Sequence, residues 1–326
     1  MVAAGELVLV VFLIILLTGT VVVTNGCMFA AFFRNRQLRT VNNYMFMTLS
    51  FANVMVGLSY PLQSLVNVKI LNYGAVCLPI ACVLLVFGIV IAWTVVALTV
   101  ERYLTILHPF AVQRILTGSR VLGILASIVF YAVVVGAVVP GALSTTAVSP
   151  EATANGANSN GTSVCRLYNL VPSRAYRFFY LANRLVSIPF FLGIYLRIFI
   201  VARRHLQAIA VQVVPAGQEG PFNDSTGSTD SVNDNARRVG KLSKARWRRE
   251  IKLTLLVFAI ALFQSICWIP HTILLMQNRA PPSIYYTLTH FFTYSNTAIY
   301  PLIYGLGNRD FRQTMTSMFG CHAASG

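Results

Sequence analysis

The chain has 326 residues, 56% of them hydrophobic and only 10% charged, against about 25% charged in an average soluble domain. With a mean hydropathy of +0.67, this composition excludes a water-soluble globular fold and predicts an integral membrane protein. The formal net charge of +16 is not a nucleic-acid footprint, because almost no basic residue sits on an extended polar domain; nucleic acid is not an expected partner. The six cysteines are too few and too scattered for a disulfide scaffold or a CxxC zinc site. No GxxxxGK[ST], HExxH or GxGxxG occurs, so nothing predicts an enzyme, a metal or a cofactor.

Seven stretches reach the roughly 20 apolar residues that a span requires: 7–33, 41–66, 75–107, 121–143, 176–201, 251–277 and 282–306. The predicted fold class is an all-α membrane protein, a seven-transmembrane helix bundle. The first stretch is too long for a signal-peptide core and no Lys or Arg precedes it, so it is read as a retained helix. The fifth is the least clean, since it carries Arg177, Arg184 and Arg197. Alternating from an outside N-terminus leaves only Lys69, Arg166, Arg174, Arg177, Arg184 and Arg279 outside and every other Lys and Arg inside. That is the positive-inside distribution, and it puts the chain in the plasma membrane with an extracellular N-terminus.

Two polar segments interrupt the spans. Residues 144–173 are rich in Ser, Asn, Gly and Thr and contain Asn160-Gly161-Thr162, a glycosylation acceptor on the expected outer side. Residues 215–235 are rich in Gly, Ser and Asp, and a disordered cytoplasmic loop is expected over about 212–240. The bundle occupies 1–306. Residues 307–326 form a short amphipathic helix and cytoplasmic tail, with Phe311, Met315, Met318 and Phe319 near one face. Cys321 beyond it is a palmitoylation candidate. No internal repeat of the transporter kind is present.

Three motifs occur in order. Glu101-Arg102-Tyr103 closes the third span, Cys267-Trp268-Ile269-Pro270 lies in the sixth, and Tyr300-Pro301-Leu302-Ile303-Tyr304 in the seventh. Taken singly, each has a plain reading: charges anchored at a membrane edge, or aromatic packing beside a helix kink. With seven spans and an outside N-terminus, the chain resembles the rhodopsin-like (class A) G-protein-coupled receptors, from about Thr24 to Cys321.

The resemblance implies a helix eight after the seventh span, and heterotrimeric G protein and arrestin as partners beside a small-molecule ligand and the membrane lipid. It implies that Arg102 contacts the G protein in the active state. At rest Arg102 pairs with Glu101 and with Glu250 at the foot of the sixth helix. Trp268 and Pro270 form the hinge that a swing must repack, and Pro301 and Tyr304 complete the switch with Tyr103 beside them. A disulfide from Cys77 to Cys165 in the second outer loop is implied by the family's spacing.

The chain also departs from the pattern. Asn53 stands where the second helix usually offers the Asp that holds an allosteric sodium ion, Ile91 replaces a Ser and Tyr300 an Asn, while Asn296 remains. A hard cation prefers anionic oxygen, so no sodium site is expected. Phe130 replaces a Trp, Gln264 a Phe, and Pro189 lies too close to Tyr195, so the fifth span is locally shifted or Pro189 is not the family proline.

The candidate ligand cavity is lined by Leu84, Phe87, Gly88, Tyr180, Arg184, His271, Leu275, His290 and Tyr294, an apolar and aromatic set with few polar groups. Leu84 occupies the place of the amine-binding Asp and the seventh span has no Lys, which excludes aminergic and opsin readings. The expected ligand is small and neutral or anionic. Similarity of the second and seventh spans to fish odorant-receptor-like sequences makes a chemosensory receptor the leading reading, with a nucleoside- or lipid-responsive receptor as alternative. Two remoter readings are an intramembrane protease built on Gly57-Leu58-Ser59-Tyr60 and a transporter.

Overall fold

The computed structural model describes residues 4–67, 73–146, 174–212, 229–276 and 283–318. Among these residues the secondary structure is entirely helical. The spans are Ala4–Arg34, Val41–Asn67, Tyr73–Leu107, Gly118–Thr146 in three joined segments, Arg174–Gln212 in two, Thr229–Met276 and Ser283–Gly307, followed by Arg309–Met318. A 3₁₀ turn, Arg36–Leu38, and a short helix, Pro109–Ile115, connect spans at the end that carries Arg102. Six of the helices are long and apolar enough to cross a membrane. The seventh span is more polar, and its Thr289, His290, Thr293, Asn296 and Thr297 are buried in the interior.

The third span is the central post, packed against the second, fourth, fifth and sixth. Val95, Leu98, Ile89 and Ile91 on it are fully buried. The first, fourth and fifth spans instead leave large apolar side chains outward, among them Phe12, Val23, Phe130, Leu196 and Phe199. In water such a surface would drive aggregation; against lipid tails it has no such penalty.

Three prolines shape the spans through the donor they lack. Pro189 cannot donate to the carbonyl of Leu185, and the fifth span breaks there: one helix ends at Leu185 and the next begins at Ser187. Pro140 follows a π segment, Val134–Val138, in which the Val135 carbonyl accepts a hydrogen bond from the Tyr176 hydroxyl at 2.8 Å. Within that segment, a Cβ on Gly136 would lie 2.6 Å from the Val86 backbone nitrogen, so only glycine allows the third and fourth spans to meet this closely. Pro301 frees the Thr297 carbonyl, and Asn25 Nδ2 of the first span donates to it at 3.1 Å.

One expectation is corrected in part. The sixth span starts at Thr229, inside the segment 212–240 read as disordered. Residues such as Ala236, Arg237, Lys241, Leu242 and Ala245 are strong helix formers, and they continue the span beyond the membrane; 213–228 lie outside the described residues.

Candidate functional site

Two clusters of buried polar residues lie in the bundle. The first closes the end where the third, sixth and seventh spans meet. Arg102 is buried in a span that ends at Leu107, and a buried guanidinium needs its donors met. Glu101 supplies both carboxylate oxygens, one to Nε and one to Nη2, and its Oε1 also accepts from the Thr105 hydroxyl at 2.9 Å. From the sixth span, Glu250 Oε2 receives Arg102 Nη1 at 3.3 Å. The clasp expected between Arg102 and Glu250 is therefore formed, with Glu101 fully buried and Glu250 27% exposed.

Tyr304 holds the neighbouring corner. Its ring stacks on Phe46 at 3.6 Å and stands edge-on to Phe311 at 5.4 Å. Its hydroxyl donates to Asn43 Oδ1 and accepts from Asn308 Nδ2, both at 2.9 Å. Asn43 in turn donates to the Leu38 carbonyl. The C-terminal helix is tied in by Arg249 to Asp310 at 2.5 Å and by Asn35 to Thr314 at 3.0 Å. Arg102, Glu250, Tyr304, Asn43 and Asn308 line a cavity of about 270 Å³. Tyr103 is half-buried beside His108. Asn43, Thr105, Asn308, Arg249 and Asp310 were not singled out from sequence. The i+4 spacing of Thr105 from Glu101 and of Asn308 from Tyr304 was the available signal.

Thr293, likewise not singled out from sequence, ties the seventh span to the sixth beside Pro270. Pro270 sits within an otherwise continuous helix, and Thr293 of the seventh span donates to the Cys267 carbonyl at 3.0 Å, as neighbouring hydroxyls do where proline disturbs a membrane helix.

The second cluster centres on Arg184. The Arg184 guanidinium carbon lies 3.3 Å from the centroid of the Trp268 ring, and Nη1 donates to the Gly88 carbonyl at 2.6 Å. A Cβ on Gly88 would stand 3.1 Å from both Arg184 Nη1 and the Tyr180 hydroxyl, so glycine is what admits the side chain. Trp268 is edge-on to His271 at 5.7 Å, His271 to His290 at 4.5 Å, and His290 stacks on Tyr294 at 5.7 Å. Arg184 is buried, and its Nη2 has no hydrogen-bond partner. An arginine at membrane depth costs about 3 kcal/mol on insertion scales, and a desolvated cation–π contact returns about 2 kcal/mol.

Seven of the nine expected cavity residues fall as follows: Gly88, Tyr180, Arg184, His271, His290 and Tyr294 join this cluster, whereas Phe87 stands edge-on to Phe51 of the second span at 5.7 Å. Leu84 packs on the core, and the Leu275 side chain lies outside the described residues, as do Cys165, Asn160 and Cys321. Cys77 is buried and disulfide-bonded, its partner also outside them; Cys27, Cys82 and Cys267 are free. Ser59 donates to the Met55 carbonyl of its own helix at 2.7 Å, the ordinary fate of a serine in a span. The sodium ion that the resemblance implies does not fit: Asn53 brings no carboxylate, and the Tyr300 ring lies against Phe46 with its hydroxyl toward Ser50.

Residues 24–304 match the model of the 7 transmembrane receptor (rhodopsin family). Similar curated proteins include adenosine receptor A2a of Homo sapiens, 26% identical over 298 residues that cover 88% of this chain and 66% of that protein. Adenosine receptor A2b of Bos taurus is 26% identical over 91% of this chain and 83% of its own length. Thyrotropin-releasing hormone receptor of Gallus gallus is 24% identical over 98% of this chain and 81% of its own length. The chain thus spans slightly less than two thirds of the A2a relative's length. With the family match over most of this helical frame, the chain belongs to the rhodopsin family of seven-transmembrane receptors.

Proposed function

We propose that this receptor binds a small organic ligand beside Trp268 and activates a heterotrimeric G protein at the Arg102 end, with its N-terminus outside the plasma membrane. The observation that carries this reading is the buried Arg102, held by Glu101 and by Glu250 on a different span. Ligand binding repacks Trp268, the sixth span swings outward, and Glu250 leaves Arg102 free for a partner. Phe110 supports the same face: it is 92% exposed on the short helix just past Arg102, and an exposed aromatic beside a buried arginine is the composition of a protein-docking surface. Arrestin would use the same opened face.

The proposed bridge from Cys77 to Cys165 holds the second outer loop over the ligand, with glycosylation at Asn160 and palmitoylation at Cys321. A chemosensory ligand remains the first reading. A nucleoside is the second, favoured by the adenosine-receptor relatives. The test is a screen of small odorants, lipids and nucleosides on the full chain in membranes, read by nucleotide exchange on co-expressed G proteins. Stimulated exchange is expected, with Phe110→Ala lowering it. No exchange with any G-protein class would overturn the reading.

A further inference from the structure

Arg184 is a cation without an internal counter-ion. It lies ten residues into the fifth span, about 15 Å along the helix from Arg174. Of the acidic residues whose side chains are described, Glu101, Glu250 and Asp310, all three are engaged at the opposite end; the side chains of Glu6, Asp230 and Asp234, on helices that are described, lie outside the description. From Gly88, which Arg184 touches, to Arg102 is about 21 Å along the third span. A guanidinium carries five donors in a planar fork. Nη1 is on the Gly88 carbonyl, while Nη2 is buried and unpartnered. A neutral ligand would satisfy the hydrogen-bond need and leave the charge; an anion satisfies both.

We propose that Arg184 is the counter-ion of an organic carboxylate, which takes the Nη2 edge and, in turning the guanidinium off the Trp268 face, releases the ring that the hinge must repack. This rests on the receptor reading above and names its ligand class. A monoanion fits better than a phosphate dianion. Arg184 is the one described cation in the cluster, and its neighbouring acceptor, the Gly88 carbonyl, would repel a second negative charge. The rest of the ligand meets Phe191, Ile188 and Trp268, which with Arg184 line a void of about 20 Å³. That is room for one water, so the acid is seated only as the Arg184 side chain, which lines the void, is drawn aside. The charge therefore both selects the ligand and transmits its arrival.

The test uses the full chain purified in lipid nanodiscs without G protein. The probes are benzoate, hexanoate and octanoate, each against its methyl ester and primary amide, with adenosine alongside. The acids are expected to raise the apparent melting temperature at concentrations about 10- to 100-fold below their esters and amides, the worth of a hydrogen bond to a charged group. Arg184→Gln removes that preference. Arg184→Lys keeps part of it, since it keeps the charge and loses the fork. Glu151, the outer-loop acid, lies outside the described residues, and Glu151→Gln leaves the preference in place. Esters equal to acids on the unmodified chain, no stabilisation by any acid, or an acid preference surviving in Arg184→Gln overturns the proposal. So does a gain of about tenfold or more in acid response in Glu151→Gln, which would make that carboxylate the natural occupant. If Arg184→Gln does not fold, the acid-to-ester ratio on the unmodified chain still decides. No G protein is present, so failure here leaves the coupling reading standing, whereas stabilisation by acids without nucleotide exchange does the reverse.

Discussion

Two buried arginines of the same bundle are treated in opposite ways. Arg102 receives two carboxylates, one from its own span and one from the sixth. Arg184, on the fifth span, meets a carbonyl, the Tyr180 hydroxyl and an aromatic face, and no carboxylate among the described side chains. The physics of burial is the same for both, since an uncompensated charge in low dielectric is costly. The difference lies in where compensation comes from. Arg102 is neutralised from within, so its pairs act as a catch between spans. Arg184 is left for something from outside the chain to complete. One end of the bundle pairs its buried charge, and the other leaves the proposed ligand to do so.

The largest effect is expected from removing the catch's centre. Arg102→Gln should cut ligand-stimulated nucleotide exchange by about a hundredfold or more, the scale of a buried arginine anchor, while the thermal shift given by ligand persists. Exchange retained at the unmodified rate would break the comparison at its Arg102 side. Loosening the catch acts in the other direction: Glu250→Gln should raise ligand-free exchange about five- to tenfold, a coupling of ordinary size between two states, measured on membranes at equal receptor density. At the other arginine, Gly88→Ala places a methyl 3.1 Å from Arg184 Nη1 and should weaken the acid response about fivefold or more, the cost of overpacking a close contact. An unchanged dose–response curve would separate Gly88 from ligand recognition.

Smaller effects mark the edge of the comparison. Arg249 and Asp310 also pair, but both are about half exposed. Solvent screens such a pair to roughly 0–1 kcal/mol, so Asp310→Asn should change basal exchange by at most about fivefold. Replacing sodium by choline at constant ionic strength should leave agonist affinity unchanged. Asn53 stands where an acid would bind the cation, and Glu101 and Glu250 already hold Arg102. A strong sodium effect would show that a cation site exists without a second-span acid.

Much of the fold was legible in the chain. Seven apolar stretches of spanning length are a property of composition alone, and the described helices fall within a few residues of them at most ends. The exceptions have local causes that hydropathy does not carry. Pro189 splits the fifth span through a missing donor, and the charged start of the sixth helix keeps winding on propensity after the apolar signal has stopped. The motif residues were legible too, because Glu101, Arg102, Trp268, Pro270 and Tyr304 occur at recognisable spacing. Their partners were not. Asn43, Asn308 and Thr293 are ordinary polar residues until folding sets them beside a tyrosine hydroxyl or a carbonyl next to a proline.

The sequence by itself determined the class of the protein, the number and place of its spans and the identity of its charged residues. Each of these depends on residue type and on separation along one chain. Only the tertiary structure decided what each charge meets. Arg102 and Glu250 lie on different helices, as do Arg184, Gly88 and Trp268. Electrostatics and hydrogen bonding act over a few ångströms in space, a distance that no spacing along a helix can report between one helix and the next. Packing thus gave one arginine carboxylates from two helices and the other a carbonyl and an aromatic face.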